Sequence, residues 1–207
     1  MMGRIEAGVG LTFLAAMASA VAPSVAAPPA IASGAYDNAL LLGVDPATGA
    51  VSGYFDMSRG EQPSFSCIFY LKGRLAGRSA AVDTYFPDDP KGDLIRGSLS
   101  AQAAGKVRLA LPTEHGGCAN VWAFADKTQP ADFELQGVAR PWIAVRVVKA
   151  AKAYFSPSPD APHGKAYLVK GDGVGVRAAR PGWVQAEFVG ETRTSSGWLP
   201  ETDLYAP

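Results

Sequence analysis

The sequence predicts an all-β chain: an antiparallel β-sandwich or barrel, then a smaller barrel, both following a cleaved signal peptide. Three observations carry that expectation. Beyond the leader, short apolar or alternating stretches recur between clusters of turn-forming residues, at a spacing of roughly eight to twelve residues. Glycine and proline are abundant, 23 and 16 in 207 residues, as a chain of many tight turns requires. No later stretch combines a helical period with helix caps.

Residues 1–27 have the layout of a secretory signal peptide. Arg4 precedes an apolar run over residues 9–21, and Ala18-Ser19-Ala20 and Val25-Ala26-Ala27 offer small-residue cleavage triplets. A membrane anchor needs about 20 apolar residues, and here Pro23 interrupts the run. No cysteine follows directly to take a lipid. The expectation is a periplasmic or secreted protein with no membrane insertion after signal cleavage. Residues 28–34, rich in Pro and Ala, read as a flexible leader.

Residues 35–141 read as an antiparallel β domain. A strand at residues 39–44 meets the turn Asp45-Pro46-Ala47-Thr48-Gly49 and returns at residues 51–55. Proline presets φ at the second turn position, and glycine accepts the left-handed one. The next strand, residues 65–71, places Phe65, Cys67, Phe69 and Leu71 on one face. Strands at residues 80–86, 94–99, 107–111 and 133–135 continue the meander, with a polar loop at residues 87–92.

Residues 142–207 read as a second unit. A linking strand at residues 143–148 leads to strands at 153–155, 166–169, 175–177, 183–189 and 197–199. A Pro-rich loop spans residues 156–162, and Lys170-Gly171-Asp172-Gly173 makes a turn. Strands this short leave room only for a small barrel.

Four ordered pieces of this unit resemble the bacterial SH3-like (SH3b) family over residues 146–204. They are Ala153-Tyr154-Phe155 before the Pro-rich loop; Tyr167-Leu168-Val169-Lys170-Gly171-Asp172; Gly182-Trp183-Val184-Gln185-Ala186-Glu187-Phe188; and Ser196-Gly197-Trp198-Leu199. The two Gly-Trp pairs set a flat ring beside a residue without a side chain, so that the ring can cover backbone. The resemblance implies an SH3-like barrel that binds or docks, in a family whose members contact peptidoglycan or protein partners. No cell-wall hydrolase signature precedes it, and no family is recognised in residues 36–141.

Charge and motifs narrow the function classes. Nineteen basic residues balance nineteen acidic ones, which argues against a nucleic-acid partner. Cys67 and Cys118 are expected to form a disulfide in an oxidising compartment. Closing a loop of that length is worth about 4 kcal/mol in the chain-entropy model. A metal site would need more ligands near Cys118 than His115 supplies. The loop Asp88-Asp89-Pro90-Lys91-Gly92-Asp93 lacks calcium-loop spacing. Neither a serine-nucleophile elbow nor a phosphate-cradling glycine loop is present, so no cofactor and no catalysis are expected.

Pro112-Thr113-Glu114-His115-Gly116-Gly117-Cys118 is the sharpest local feature. Glu114 and His115 suit an acid–base pair or a binding loop. The plainer reading is that the glycines turn the chain so Cys118 reaches Cys67, leaving Glu114 and His115 solvated. His163 reads as a surface loop residue. Tyr154, Tyr167, Trp183 and Trp198 are dense for so small a barrel. Those left outside the core would form a stacking surface for sugar, peptide or a partner loop. The expected function is an exported, non-catalytic envelope protein that binds peptidoglycan or an envelope protein. The alternative is an inhibitor or immunity protein against a cell-wall-degrading enzyme, with residues 114–117 entering the foreign active site.

Overall fold

The computed structural model describes residues 30–60 and 64–205. The expected signal peptide, residues 1–27, lies outside the described residues. The chain is all-β. Eight strands, β1 (Gly34–Ala35), β2 (Leu40–Val44), β3 (Ala50–Arg59), β4 (Phe65–Ala76), β5 (Ser79–Tyr85), β6 (Ile95–Ala103), β7 (Lys106–Ala110) and β8 (Ala131–Glu134), form one antiparallel sheet in sequence order.

Two-residue alternation decides what faces inward. Leu42 on β2, Phe55 on β3, Phe69 and Leu71 on β4, Leu99 on β6 and Phe133 on β8 are fully buried in one core. The sheet curls until its ends meet: Tyr36 bridges Leu135, and the Gln136 N–H donates to the Ala35 carbonyl at 2.8 Å. Eight strands enclose a space that side chains can fill. The turn after β2 forms as its residues dictate, with Gly49 at φ 70° and the Thr48 hydroxyl donating to Asp45. Strand β4 runs past the expected Leu71 because Lys72 and Arg74 point outward, so their charge costs the strand nothing.

The connection from β7 to β8, residues 111–130, plugs this core. Cys118, Val121 and Phe124 are buried in it, and the Phe124 ring meets Phe55 at 5.0 Å and Phe69 at 5.1 Å, both edge-on. Trp122 stacks on Phe133 at 5.5 Å. The disulfide Cys67–Cys118 forms as expected and fastens the plug to β4 across 51 residues of sequence. Gly117 makes the approach possible: its φ is 84°, and a Cβ there would lie 2.5 Å from the Ser66 carbonyl oxygen.

Residues 31–34, expected as flexible leader, are instead tied down. Ile31 is buried in the core. The Ser33 hydroxyl donates to the Trp142 carbonyl at 2.8 Å and accepts from the Val44 N–H at 2.8 Å. The Pro- and Ala-rich composition hides these anchors, because one Ile and one Ser do not make a strand pattern.

The second unit contains β9 (Ala144–Val147), β10 (Lys152–Tyr154), β11 (Tyr167–Val169), β12 (Gly173–Arg180), β13 (Trp183–Val189) and β14 (Thr194–Pro200). Four strands make a sheet in the order β14-β13-β12-β9, and β10 pairs with β11 as a separate hairpin. Bridges from Ser156 to Trp198 and from Val148 to Leu204 draw the pieces around a core of Val174, Val176, Val184 and Leu199. The turn before β12 places Gly171 at φ 97°.

A third core joins the two units. Tyr54, Tyr70 and Tyr85 from the outer barrel wall pack with Trp142, Val145 and Val147. The Tyr70 hydroxyl donates to the Val145 carbonyl at 2.6 Å, and the Val145 N–H donates to Ser52 Oγ at 2.8 Å. Trp142 lies against Gly175, where any Cβ would collide with the indole ring. This is the ring-on-glycine contact that the Gly-Trp pairs suggested, but made by another tryptophan. Gly182 sits in a left-handed turn with nothing near its missing Cβ, and Gly197 faces Phe155 and Ser156.

Candidate functional site

The structure separates Glu114 from His115 by giving each a task inside the barrel. His115 is 2% exposed, with its ring stacked on Phe69 at 5.2 Å and edge-on to Phe86 at 5.4 Å. Its Nε2 lies 2.7 Å from Thr84 Oγ1. That hydroxyl has one proton and donates it to the Ile95 carbonyl at 3.0 Å. Thr84 must therefore accept from His115, which fixes the Nε2–H tautomer and leaves Nδ1 a buried lone pair without a partner among the described residues. Burial holds the imidazole below its ordinary pKa, against a smaller opposing pull from Asp93.

Glu114 accepts from the Ala125 N–H at 2.6 Å, and so ties the two limbs of the plug. Its second oxygen is buried without a partner among the described residues. The expectation that both side chains are solvated is thus corrected: Glu114 ties the plug to itself, and His115 docks it against β4 and β5. The expectation that the glycines deliver Cys118 to Cys67 matches the φ of Gly117.

Of the aromatic candidates, Tyr154 and Tyr167 come together. They are cross-strand partners in the β10–β11 pair, so both rings leave the same face, while Ala153 and Leu168 point into the core. Their centroids are 5.4 Å apart, and His163 from the following loop lies 4.5 Å from Tyr154. The Lys152 ammonium sits 4.5 Å above the Tyr167 ring. Tyr167 and Val169 are each 46% exposed. Three rings and one cation thus form a surface outside the three cores.

Trp183 and Trp198 lie elsewhere, on the face of β13 and β14 opposite the core. Register shows why: Val184 pairs with Leu199 inward, while Trp183 pairs with Pro200 and Gln185 with Trp198 outward. Arg180 covers the Trp198 ring at 5.0 Å. The four candidates therefore form two surfaces.

Sequence reasoning missed Lys152 and the participation of His163. The signal was present in the two-residue spacing from Lys152 to Tyr154, which puts cation and ring on one face. Placing His163 beside them needed the conformation of the Pro-rich loop, whose return is set by the Gly164 N–H donating to the Phe155 carbonyl at 2.7 Å.

Among the described residues, no helix is long and apolar enough to cross a membrane. Comparisons with protein-family models, with curated proteins and with solved structures find no match for the chain.

Proposed function

We propose that this chain is an exported, non-catalytic protein of a bacterial envelope that binds cell wall through the aromatic face of its C-terminal unit. The observation that carries the reading is the cluster of exposed Tyr167, His163 and Lys152 with half-buried Tyr154. Flat rings standing clear of the core stack on sugar faces and on peptide groups, and a nearby ammonium meets carboxylates. The SH3-like motifs of this unit agree with a docking role, and the disulfide is consistent with an oxidising, extracytoplasmic compartment.

Sedimentation of the signal-free protein with insoluble peptidoglycan tests the reading. The protein is expected to pellet, and the double substitution Tyr154→Ala/Tyr167→Ala is expected to weaken retention about tenfold or more, as loss of an aromatic anchor does. Retention unchanged by the double substitution would remove the cluster from the mechanism. Failure of the unsubstituted protein to pellet would leave an envelope protein as the partner. An inhibitor of a cell-wall-degrading enzyme remains an alternative in function, but it would have to act through residues other than Glu114, engaged within the plug, and His115, engaged with Thr84 of the barrel wall.

A further inference from the structure

A cleft of about 810 Å3 lies between the barrel wall and the second unit, built from residues other than the aromatic cluster. Its floor is the outward face of β3 to β6, where Ala50, Ser52 and Ala81 keep the side chains short. Ile143, Ala144 and Ala179 form the opposite side. Mostly apolar clefts of roughly 300–1,000 Å3 between packed domains are where small ligands bind.

The charges at this cleft are unevenly matched. Lys72, Arg74 and Arg96 rise from the wall and Arg146 comes from β9, against the carboxylates of Asp45 and Asp83. Asp45 is occupied within its own turn by the Ala47 N–H and the Thr48 hydroxyl. Asp83 pairs with Arg96 at 3.7 Å. Arg74 donates to the Thr48 carbonyl, a neutral acceptor. Lys72 lies 5.2 Å from the Tyr85 ring centroid and has no carboxylate in ion-pair range among the described residues. Arg146 reaches Glu201 at 3.6 Å and the Tyr205 carbonyl at 3.3 Å, yet its Nε is buried without an acceptor among the described residues. Cations thus outnumber the carboxylates free to meet them, beside an apolar floor.

We propose that this cleft binds a small amphiphilic organic anion, with its apolar body on the alanine floor and its acidic head among Lys72, Arg74 and Arg146. Charge at the mouth selects the head, and the apolar floor supplies most of the affinity.

Two fluorescent probes with the same rings separate these contributions: anilinonaphthalene sulfonate, which is anionic, and phenylnaphthylamine, which lacks the sulfonate. The folded, signal-free protein is expected to bind the anionic probe at one site, more tightly than the neutral one, and to release it to dodecanoate but not to dodecanol. The double substitution Lys72→Ala/Arg74→Ala changes two exposed side chains and is expected to weaken the anionic probe about tenfold while leaving the neutral probe unchanged. Ala81→Trp fills the floor and is expected to abolish binding of both, with the circular dichroism spectrum and melting temperature confirming that each variant is folded. Equal affinity for the two probes, or binding that survives Ala81→Trp in folded protein, would overturn the assignment.

Discussion

His115 occupies a position that favours the neutral imidazole over the charged one. Its Nε2–H is spent on Thr84, and a proton added at Nδ1 would be a buried charge with no acceptor. The folded chain therefore resists protonation, whereas the unfolded chain takes up the proton near the ordinary value of 6.5. The sign follows: stability from this residue is complete above that value and is lost as pH falls below it, until the folded state also protonates. The melting temperature is expected to drop between pH 7 and pH 5, and His115→Phe, which keeps a ring on Phe69, is expected to flatten that dependence. An undiminished slope in the variant would assign the pH response to other groups. Nothing in the local sequence showed this role, since a His beside two glycines reads as loop. Its burial depends on Phe69 of β4 and Thr84 of β5, paired strands against which the distant plug folds back.

The plug is the element with most influence over the barrel interior. It supplies Phe124 to an aromatic cluster with Phe55, Phe69 and Phe133, and its one covalent anchor is Cys118. Replacing both cysteines by alanine is expected to cost about 2–5 kcal/mol in urea unfolding. The Trp122 emission is expected to shift toward that of a wetter indole, because the plug loses its fastening. A change confined to midpoint, with the Trp122 emission untouched, would mean that aromatic packing alone holds the plug. Strands were legible in the sequence wherever apolar alternation met a turn signal, and β13 matches its expected limits at both ends. The plug was not legible, because a buried segment without regular structure has no period to detect. Val121, Trp122 and Phe124, an apolar group inside a polar loop, were its only trace. The aromatic hairpin was half legible: the tyrosines declared themselves by type, and their pairing needed the register of β10 with β11.

At the scale of the molecule, the two units share a core rather than meeting at a linker. A boundary at residue 142 cuts through it, since Trp142 lies on Gly175 while Val145 packs with Tyr54 and Tyr70. The linking strand expected from residue 143 marks where one sheet gives way to the next, not where contacts cease. Heat is therefore expected to unfold both units in a single calorimetric transition. Gly175→Ala, which drives a methyl into the Trp142 ring, is expected to lower that transition as a whole, by about 1–3 kcal/mol. Two separate transitions, with only the second moved by the substitution, would show that the shared core contributes little.

The seam between Tyr36 and Leu135 also sets an order of events. A chain emerging from its N-terminus can form each hairpin from β2 onward as soon as the next strand appears. The seam must wait until almost the whole barrel has followed, because its two sides lie at opposite ends of that segment. Closing so long a loop is entropically costly and slow. Until it closes, the nascent sheet carries two unsatisfied edges that can pair with another copy of the same chain. Crowding during folding, more than the strength of any finished contact, then decides whether this barrel shuts on itself or on its neighbour.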